Sequence, residues 1–315
     1  MNEVMQAVES AFKEKGLGYA QMPPKVYLSY QKYNGDLRAM PSYLERLDIS
    51  AVKVVNSHPE NQAKFGLPTV MATIILVDPR SGAPLAIMDG TWITAMRTGA
   101  AGGLAARYLA HRDSKVVGFV GAGTQARTQL MALWAVYGSL EKVKVWSRTR
   151  ESRETFISEM KVAYGDVADV VSVENVEDAV RDVDILVTVT PSRTPIVSAK
   201  WVSGGMHITC IGADAPGKEE LDPAILKRAK IVVDDWEQAS HSGEINVPLS
   251  KGIISRNDIW GDICEIAAEL KPGRTSEDEI TVFTSTGLAV QDAIIAKLAY
   301  DKAVLKRIGH YIELF

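Results

Sequence analysis

The sequence has few of the features that mark secreted, membrane or nucleic-acid-binding proteins. Its 315 residues include only two cysteines, Cys210 and Cys264, which are too few for a disulfide framework or a structural zinc site. No apolar run approaches the roughly 18 residues that a membrane span needs, and acidic side chains rather than a signal segment occupy the first ten residues. The formal charge of −4 argues against a dedicated nucleic-acid binder. We therefore expect a soluble cytoplasmic protein without nucleic-acid or membrane partners.

Motifs for metal and serine chemistry are missing as well. The five histidines show no HExxH or other metal-ligand spacing, so we expect no metal site. No GxSxG motif is present, and Cys210 lies in an apolar run typical of a buried strand. The sequence thus predicts neither a metal centre nor a catalytic serine.

Two different secondary-structure patterns follow one another along the chain. After an amphipathic helix over residues 2–15, strand-like segments joined by hairpin turns predict a mostly antiparallel sheet, and an Ala-rich helix spans 91–109. The strands predicted in this first part are 25–30, 36–40, 51–55, 69–77 and 83–88. From Lys115, short strands that are apolar on both faces alternate with helices, which predicts a parallel sheet covered by helices. The strands predicted in this second part are 115–120, 143–146, 170–173, 185–189, 207–211 and 229–233.

These patterns predict an α/β fold with two domains. A Rossmann-type parallel-sheet domain would comprise residues 113–290. A smaller, mostly antiparallel α+β domain for substrate binding and assembly would be made from both chain ends, residues 1–112 together with 291–315. A final Ala-rich helix is expected from Gln291 to about Leu305, and a last strand is predicted over residues 311–315.

The segment Gly121–Ala126 matches the GxGxxA dinucleotide-binding fingerprint. It follows a predicted apolar strand directly and opens a predicted helix, which is the context that this fingerprint requires. Gly121 permits the tight turn, Gly123 lets the backbone approach a pyrophosphate, and Ala126 keeps the helix close to the sheet. The sequence therefore predicts a dinucleotide site here, with Ala122 in the loop and the helix N-terminus facing the phosphates.

The end of the next strand bears on whether the cofactor carries a 2′-phosphate. NAD-binding sites usually place Asp or Glu there for the ribose hydroxyls, whereas this strand ends without an acid before Glu151. Ser147 can bond a 2′-phosphate, and Arg148 and Arg150 supply compensating charge. A solvated basic helix start is the simpler interpretation, but arginine at a helix N-terminus is disfavoured unless an anion is bound. We therefore favour NADP(H), with NAD(H) as the alternative.

Four cations in the N-terminal part of the chain lie in apolar or glycine-rich surroundings. They are Lys25, Arg38, Lys53 and Arg97. Any one of them alone is more often a surface residue whose stem lies along apolar neighbours. Together they can form a pocket for a substrate carboxylate, with an arginine supplying two parallel hydrogen bonds.

A single acidic side chain, Asp214, follows the apolar strand that ends at Ile211. Ligands of open parallel sheets bind beyond the carboxyl ends of the strands, so Asp214 is a candidate catalytic carboxylate. The alternative is that it caps a helix that starts around Lys218–Leu221.

Eight segments, in order over nearly the whole chain, resemble those of the ornithine cyclodeaminase/mu-crystallin family, and within it most nearly the archaeal alanine dehydrogenases. They are Met22–Lys25, Lys53–Pro59, Met96–Gly102, Gly121–Ala126, Thr190–Ser192, Ile211–Lys218, Gly243–Asn246 and Ser285–Leu288. The resemblance implies a Rossmann domain plus an antiparallel domain that mediates homodimerisation.

The resemblance also implies roles for individual residues. Lys25, Lys53 and Arg97 would bind the substrate carboxylate, and Asp214 would handle the amine, so we assign catalysis to Asp214 and Lys53. The cofactor would be lined by Thr124, Gln125, Thr190, Pro191, Ser192, Ser285 and Gly287. Cyclodeaminases carry a Glu where this chain has Arg38, whereas archaeal alanine dehydrogenases share the Leu-Arg-Ala-Met-Pro pattern. Ser147-Arg148 is instead similar to mu-crystallin-type ketimine reductases.

The leading hypothesis is an NAD(P)-dependent oxidoreductase that acts on the CH–NH2 or C=N group of a small amino or imino acid. Alanine dehydrogenase comes first, and a reductase of cyclic ketimines such as pyrroline- or piperideine-2-carboxylate comes second. Ornithine cyclodeaminase and a non-catalytic NADPH-dependent ligand binder remain as further alternatives. In the leading hypothesis the cofactor carries the redox chemistry, and the protein positions the substrate carbon and moves a proton.

Overall fold

The computed structural model describes residues 1–165 and 168–313, and within these residues the strands form two separate sheets. The strands of the antiparallel sheet are β1 (Ala20–Gln21), β2 (Val26–Tyr30), β3 (Gly35–Leu44), β4 (Ile49–Ser57), β5 (Val70–Val77) and β6 (Pro84–Asp89). Those of the parallel sheet are β7 (Val116–Val120), β8 (Lys142–Trp146), β9 (Asp169–Ser172), β10 (Ile185–Thr188), β11 (His207–Cys210), β12 (Ala229–Val233), β13 (Ile259–Asp262) and β14 (Ile280–Thr284). This arrangement confirms the predicted α/β fold, while the predicted domain bounds stay a prediction.

The helices alternate with the strands mainly in the second part of the chain. They are α1 (Asn2–Gly16), α2 (Asn61–Phe65), α3 (Thr91–Leu109), α4 (Thr124–Tyr137), α5 (Arg150–Tyr164), α6 (Val176–Val180), α7 (Pro223–Leu226), α8 (Trp236–Ser242), α9 (Asn246–Ser250), α10 (Ile263–Ala267) and α11 (Ala289–Lys306). Among the described residues, none of them combines the length and the apolar character that crossing a bilayer requires.

The antiparallel sheet has one face turned to the core, because its strands alternate buried and partly exposed residues with a period of two. On that face Leu44, Ile74 and Leu76 pack with Phe12 of α1 and Leu104 of α3. Helix α11 also packs on this face, against β3 and β4. Both chain ends therefore contribute to one hydrophobic core.

The parallel sheet has the strand order β13-β12-β14-β11-β10-β7-β8-β9. The chain leaves β7 in one direction through β8 and β9, then returns to place β10 on the other side of β7. Ligands bind at such a switch point, beyond the carboxyl ends of the strands. The strands are apolar because helices cover both faces, and Cys210 is buried in β11 as expected.

Helices α3 and α4 cross at close range. A Cβ at Gly99 would lie 2.4 Å from the carbonyl oxygen of Thr128, and one at Gly102 would lie 1.8 Å from the side-chain oxygen of Gln129. Only glycine therefore fits at position 99, where the neighbour is backbone, whereas a side chain at position 102 would displace the amide of Gln129. The crossing connects the helix that carries Arg97 directly to the helix that follows the predicted dinucleotide loop.

The described part of the last predicted strand, residues 311–313, is not a strand. Tyr311, Ile312 and Glu313 are in neither a helix nor a strand and are exposed, whereas Leu314 and Phe315 lie outside the described residues. Residues 311–313 lack a hydrogen-bonded neighbour strand, so an apolar pattern alone is not enough to make this segment a strand.

Candidate active site

Two cavities lie at the carboxyl ends of the parallel strands, and the turn of residues 121–125 contributes to both. The larger, the cofactor cleft, has a volume of about 430 Å³ and is lined mainly by the segments 121–123, 146–149 and 189–192. The smaller, the substrate cavity, has a volume of about 140 Å³. Its charged lining residues are Lys25, Arg38, Lys53, Arg97 and Asp214, and the loop 285–287 also contributes to it.

The first segment of the cofactor cleft is backbone that can accept a phosphate group. Gly121 has a φ of +115°, and a Cβ there would lie 2.9 Å from the carbonyl oxygen of Val189. Gly123 precedes α4 and has no atom within 4 Å of the position that a Cβ would take. The first N–H groups of a helix lack intrahelical acceptors and attract anions. The segment therefore fits the pyrophosphate of a dinucleotide.

The second segment follows β8 and brings Ser147 and Arg148 into the cleft. Arg150 does not line the cleft, because its guanidinium pairs with Glu154 at 2.5 Å on the exposed side of α5. Glu154 balances that charge, so no bound anion is needed to explain an arginine at the start of this helix. Arg153, which the sequence analysis missed, is buried and donates to the carbonyl of Ser147 at 2.9 Å, which holds the turn.

The four predicted cations meet at the substrate cavity, although they come from different elements. Lys25 precedes β2, Arg38 lies on β3, Lys53 on β4 and Arg97 on α3. Met40 pairs with Lys53 across the two strands, which places Arg38 and Lys53 on the same face of the sheet. The cavity is the smaller of the two, and four cations converge on it.

Asp292, in the first turn of α11, joins two of these cations. One of its oxygens lies 2.7 Å from Nζ of Lys53, and the other accepts a hydrogen bond of 3.0 Å from Nε of Arg97. Gln291 accepts from Nη1 of Arg97 at 3.1 Å. Nη2 of Arg97 has no hydrogen-bond partner in the part of the chain that the structure describes. Asp292 and Gln291 thus orient the guanidinium and leave donors for a substrate.

Of the two lysines that line the cavity, Lys53 has the more strongly lowered pKa. Its side chain is fully buried. Burial lowers the pKa of Lys53, the positive charge of Arg97 lowers it further, and Asp292 opposes both, which leaves a pKa of about 7. Such an amine can give or take a proton at neutral pH.

The loop after β14 is organised by a carboxylate that the sequence analysis missed. Asp234 is fully buried and accepts the backbone N–H groups of Thr286 and Gly287 at 2.6 and 2.7 Å, together with the hydroxyl of Ser285 at 3.0 Å. Lys25 donates to the carbonyl of Thr286 at 2.6 Å. Burial lowers the pKa of Lys25 to about 8 against the opposing charge of Asp234.

Asp214 is an anion held between two cations. Arg38 donates to one of its oxygens at 3.1 Å and Lys218 donates to the other at 2.6 Å. Asp36 accepts two further hydrogen bonds from Arg38. Burial alone would raise the pKa of Asp214, but Lys218 and Arg38 outweigh it and lower the pKa to about 2. Asp214 is therefore ionised at neutral pH and is suited to stabilising positive charge.

The alternative role of Asp214 as a helix cap is wrong. No helix begins at residues 218–221; α7 begins at Pro223, and Asp222 is its cap, accepting from the N–H of Ala224 at 3.0 Å. A helix of four residues that starts with proline lacks the periodic apolar pattern by which the sequence analysis places helices.

The remaining predicted cofactor residues divide between the two cavities. Thr190, Pro191 and Ser192 line the cofactor cleft. The structure places the other residues elsewhere: Gln125, Ser285 and Gly287 line the substrate cavity, Thr124 lines neither, and Ala126 is buried beneath the loop. Within residues 1–165 and 168–313, no cluster of three or more His, Cys, Asp or Glu side chains is arranged to hold a metal ion.

The chain is similar to known proteins over nearly its whole length. The model of the ornithine cyclodeaminase/mu-crystallin family matches residues 1–307. An alanine dehydrogenase of Archaeoglobus fulgidus is 53% identical over 100% of this chain and 94% of its own length. A solved archaeal alanine dehydrogenase dimer with bound NAD is 52% identical, with a TM-score of 0.95 over 100% of this chain and 95% of that one. The Δ1-pyrroline-2-carboxylate reductase of Thermococcus litoralis, solved with NADH and L-proline, is 43% identical, with a TM-score of 0.95 over 99% of this chain and 96% of that one.

Proposed function

The chain belongs to the ornithine cyclodeaminase/mu-crystallin family, as the resemblance of its motifs predicted, and we propose that it is a nicotinamide-dependent alanine dehydrogenase. In this reaction pyruvate, ammonium, NAD(P)H and a proton give L-alanine, water and NAD(P)+. The observation that carries the proposal is the small cavity of oriented cations beside a glycine turn that fits a dinucleotide. The identity of 53% with an alanine dehydrogenase supports the choice of substrate.

The cations orient the substrate. Arg97 and Lys25 hold its carboxylate, since both keep N–H groups free after Asp292 and Thr286 have been satisfied. The negative charge of Asp214 favours the positively charged iminium form of the substrate. When bound, the cofactor supplies or accepts the hydride at the substrate carbon.

Lys53 donates the proton that amination consumes and accepts the proton that alanine oxidation releases. A group with a pKa near the working pH is both partly protonated and partly free, which suits general acid–base catalysis. Asp214, with its pKa of about 2, is a poor proton acceptor at neutral pH. We therefore divide the two predicted catalytic roles: Lys53 gives and takes the proton, and Asp214 stabilises charge.

NADP(H) is the favoured cofactor in this proposal, with NAD(H) also accepted. Among the residues that the structure describes, the lining of the cofactor cleft contains no carboxylate for the ribose hydroxyls, and Arg148 is exposed there for a 2′-phosphate. Related structures hold NAD or NADH, so a nicotinamide dinucleotide is the common element.

The proposal includes a homodimer. The outer face of the antiparallel sheet carries a row of cross-strand neighbours, Val52, Ile75 and Ile87, and Ile87 is 64% exposed. An apolar patch of this kind is typical of an interface. Light scattering of the purified protein should give twice the chain mass, and Ile87→Glu should shift it towards the monomer; a monomeric wild-type protein contradicts this part of the proposal.

The test of the activity is a comparison of substrates with both cofactors. Pyruvate plus ammonium should oxidise NAD(P)H, and L-alanine should reduce NAD(P)+. Δ1-Pyrroline-2-carboxylate is the competing substrate. Ornithine is the third substrate, and its turnover would release ammonia and proline. Turnover of the cyclic imine alone would replace the alanine assignment by that of an imine reductase.

Two variants on one helix make the test specific for the cavity. Arg97→Ala should weaken the binding of pyruvate and lower kcat/KM for pyruvate, because the substrate carboxylate loses its oriented partner. Arg107→Ala, in the last turn of the same helix, removes a guanidinium that pairs with Glu9 outside the cavity and should retain wild-type rates. Equal losses in both variants would mean that the rate does not depend on the cavity.

A further inference from the structure

Two buried carboxyl groups, Glu220 and Glu244, lie next to the loops that line the two cavities. Neither of them binds the substrate or the cofactor in the proposed function. Both side chains are fully buried. Burial raises the pKa of each, and their proximity raises the pKa of Glu244 further. The hydrogen bonds that the two groups accept offset part of the cost of burying them.

The side chain of Glu220 joins the loops that follow two neighbouring parallel strands. One oxygen accepts the N–H of Thr190, after β10, at 2.7 Å. The other accepts the N–H of Gly212, after β11, at 3.1 Å. The two loops almost touch here, since a Cβ at Gly212 would lie 2.1 Å from the carbonyl oxygen of Thr190.

The backbone of Glu220 holds the far end of the first loop. Its carbonyl accepts the N–H groups of Ile196 and Val197 at 2.8 and 3.0 Å. Thr190 and Ile196 both line the cofactor cleft. One residue therefore fixes this loop at both of its ends.

The second loop carries the substrate side of the site. Asp214 lies two residues beyond Gly212. Both Ile211 and Asp214 line the substrate cavity. The distance between the loops thus bears on the distance between cofactor and substrate.

Glu244 holds the backbone of Glu220, and its side chain accepts hydrogen bonds through one oxygen rather than two. One oxygen of Glu244 accepts the N–H groups of Glu220 and Leu221 at 2.8 and 2.7 Å. Its other oxygen has no hydrogen-bond partner among the described residues. Both oxygens of Glu220 thus accept backbone N–H groups, whereas only one oxygen of Glu244 does so among the described residues.

We propose that Glu220 is a positioning residue, whose side chain joins the cofactor loop to the loop that carries Asp214 and sets the spacing between them, while Glu244 holds its backbone. The proposal rests on the proposed function, since the spacing matters for hydride transfer between the two cavities. A misplacement of about 1 Å can cost a reaction on the order of 100-fold.

The test is Glu220→Gln, which places an amide NH2 against a backbone N–H in one of the two loops. We expect kcat for pyruvate and ammonium to fall about 10- to 100-fold with little change in KM. The isotope effect with NADH deuterated at the transferred hydrogen should rise, because hydride transfer becomes more rate-limiting. In the protein without ligands, amide hydrogen exchange should accelerate at Thr190 and Gly212.

Glu219→Gln is the matched control. Glu219 is also a buried carboxyl group of the same segment, but its side chain bonds only Lys251, at 3.4 Å, and reaches neither loop. It should lower thermal stability without altering the isotope effect or the two amides. Glu244→Gln, which imitates the neutral acid, should have a much smaller effect on kcat than Glu220→Gln.

The outcomes separate this proposal from the proposed function. If the wild-type protein does not turn over pyruvate and ammonium, the function fails, but amide exchange still measures the connection between the loops. If Glu220→Gln matches Glu219→Gln in both exchange and isotope effect, the positioning role is overturned. Should Glu220→Gln not fold, Glu220→Asp, which keeps the charge but has a shorter reach, must show the same pattern, and wild-type values in that variant overturn the proposal.

Discussion

The cofactor cleft and the substrate cavity lie at the same end of the parallel sheet, yet they are built by different means. The cleft is formed by backbone turns that directly follow strands, and its cation, Arg148, is exposed. The cavity is formed by buried charged side chains, and Arg97 and Asp292, which are in direct contact, are 195 residues apart in the chain. Dinucleotide binding thus depends on local conformation, whereas the substrate site depends on long-range packing.

The difference has an energetic consequence. Charges in a buried cavity interact strongly and are already oriented, so the loss of one leaves its partner unpaired in a low-dielectric environment. Contacts in an open cleft are screened by solvent and are individually weaker. Substitutions should therefore have larger effects in the cavity than in the cleft.

The largest effect is expected for Lys53→Met, which removes the proton-exchanging amine. We expect kcat to fall on the order of 10²–10⁴-fold in both directions. In the wild-type protein kcat/KM for amination should fall as the pH rises through about 7, because the protonated amine is the donor, and kcat/KM for alanine oxidation should rise over the same range. The variant should lose both of these pH dependences.

A lysine outside the cavity provides the control for that pH profile. Lys230 is mostly buried and pairs with Glu279, away from both cavities, so Lys230→Met should keep the wild-type profile. An unchanged profile in Lys53→Met would assign the titration to another group, with Lys25 and its pKa of about 8 as the next candidate.

The next effect is that of Asp214→Asn, which keeps the shape of the loop and removes the charge. We expect kcat to fall about 10²–10³-fold, the usual cost of losing one electrostatic contact to a transition state, with the Kd for NADPH nearly unchanged. Asp222→Ala, which removes the cap of α7, should instead cost about 1 kcal/mol of stability and leave kcat intact. A nearly normal kcat in Asp214→Asn contradicts the assigned role.

Substitutions of the two cleft glycines should have smaller effects than those in the cavity. Their effects on stability and on cofactor affinity should be separable. Gly121→Ala forces a side chain into a positive φ and against Val189, so thermal stability should fall by about 1–3 kcal/mol and the cofactor should bind more weakly. Gly123→Ala meets no atom of the protein, so its thermal midpoint should stay unchanged while NADPH affinity drops about tenfold, or about 1.4 kcal/mol. Unaltered affinity in Gly123→Ala would place the pyrophosphate elsewhere.

The smallest effect is expected for Arg148→Ala. An exposed charge contact contributes up to about 1 kcal/mol, so the KM for NADPH should rise about fivefold while that for NADH stays constant. Arg150→Ala should alter the ratio less, because Glu154 already holds that side chain. An equal shift in both variants would support the sequence prediction that Arg150 also binds the phosphate.

The elements that were predictable are those with local causes. The dinucleotide turn lies between an apolar strand and a helix, and the strand β12 has the predicted bounds 229–233. The cations Lys25, Arg38, Lys53 and Arg97, which were grouped because basic residues in apolar surroundings need a partner, all line one cavity, and their binding of a substrate stays a prediction.

The elements that were missed have causes far away in the chain. Asp292 reads as an ordinary acidic residue in the first turn of a helix, and nothing near it in the sequence points to Lys53 or Arg97. Asp234 likewise reads as the end of a strand, although it holds the loop 285–287. Only the packing of α11 and β14 against the N-terminal elements makes these carboxylates part of the site.

Local sequence patterns were enough to predict the two sheet types, the glycine turn with its nicotinamide cofactor class, and the set of cations that line the substrate cavity. These follow from period, turn chemistry and residue type, which act over a few residues. The tertiary structure decided which carboxylate each cation meets, and through burial and neighbouring charge it decided that Lys53 has a pKa of about 7 and Asp214 one of about 2. A pKa depends on the solvent excluded and the charges within a few ångströms, and those are brought together by the fold rather than by the order of residues.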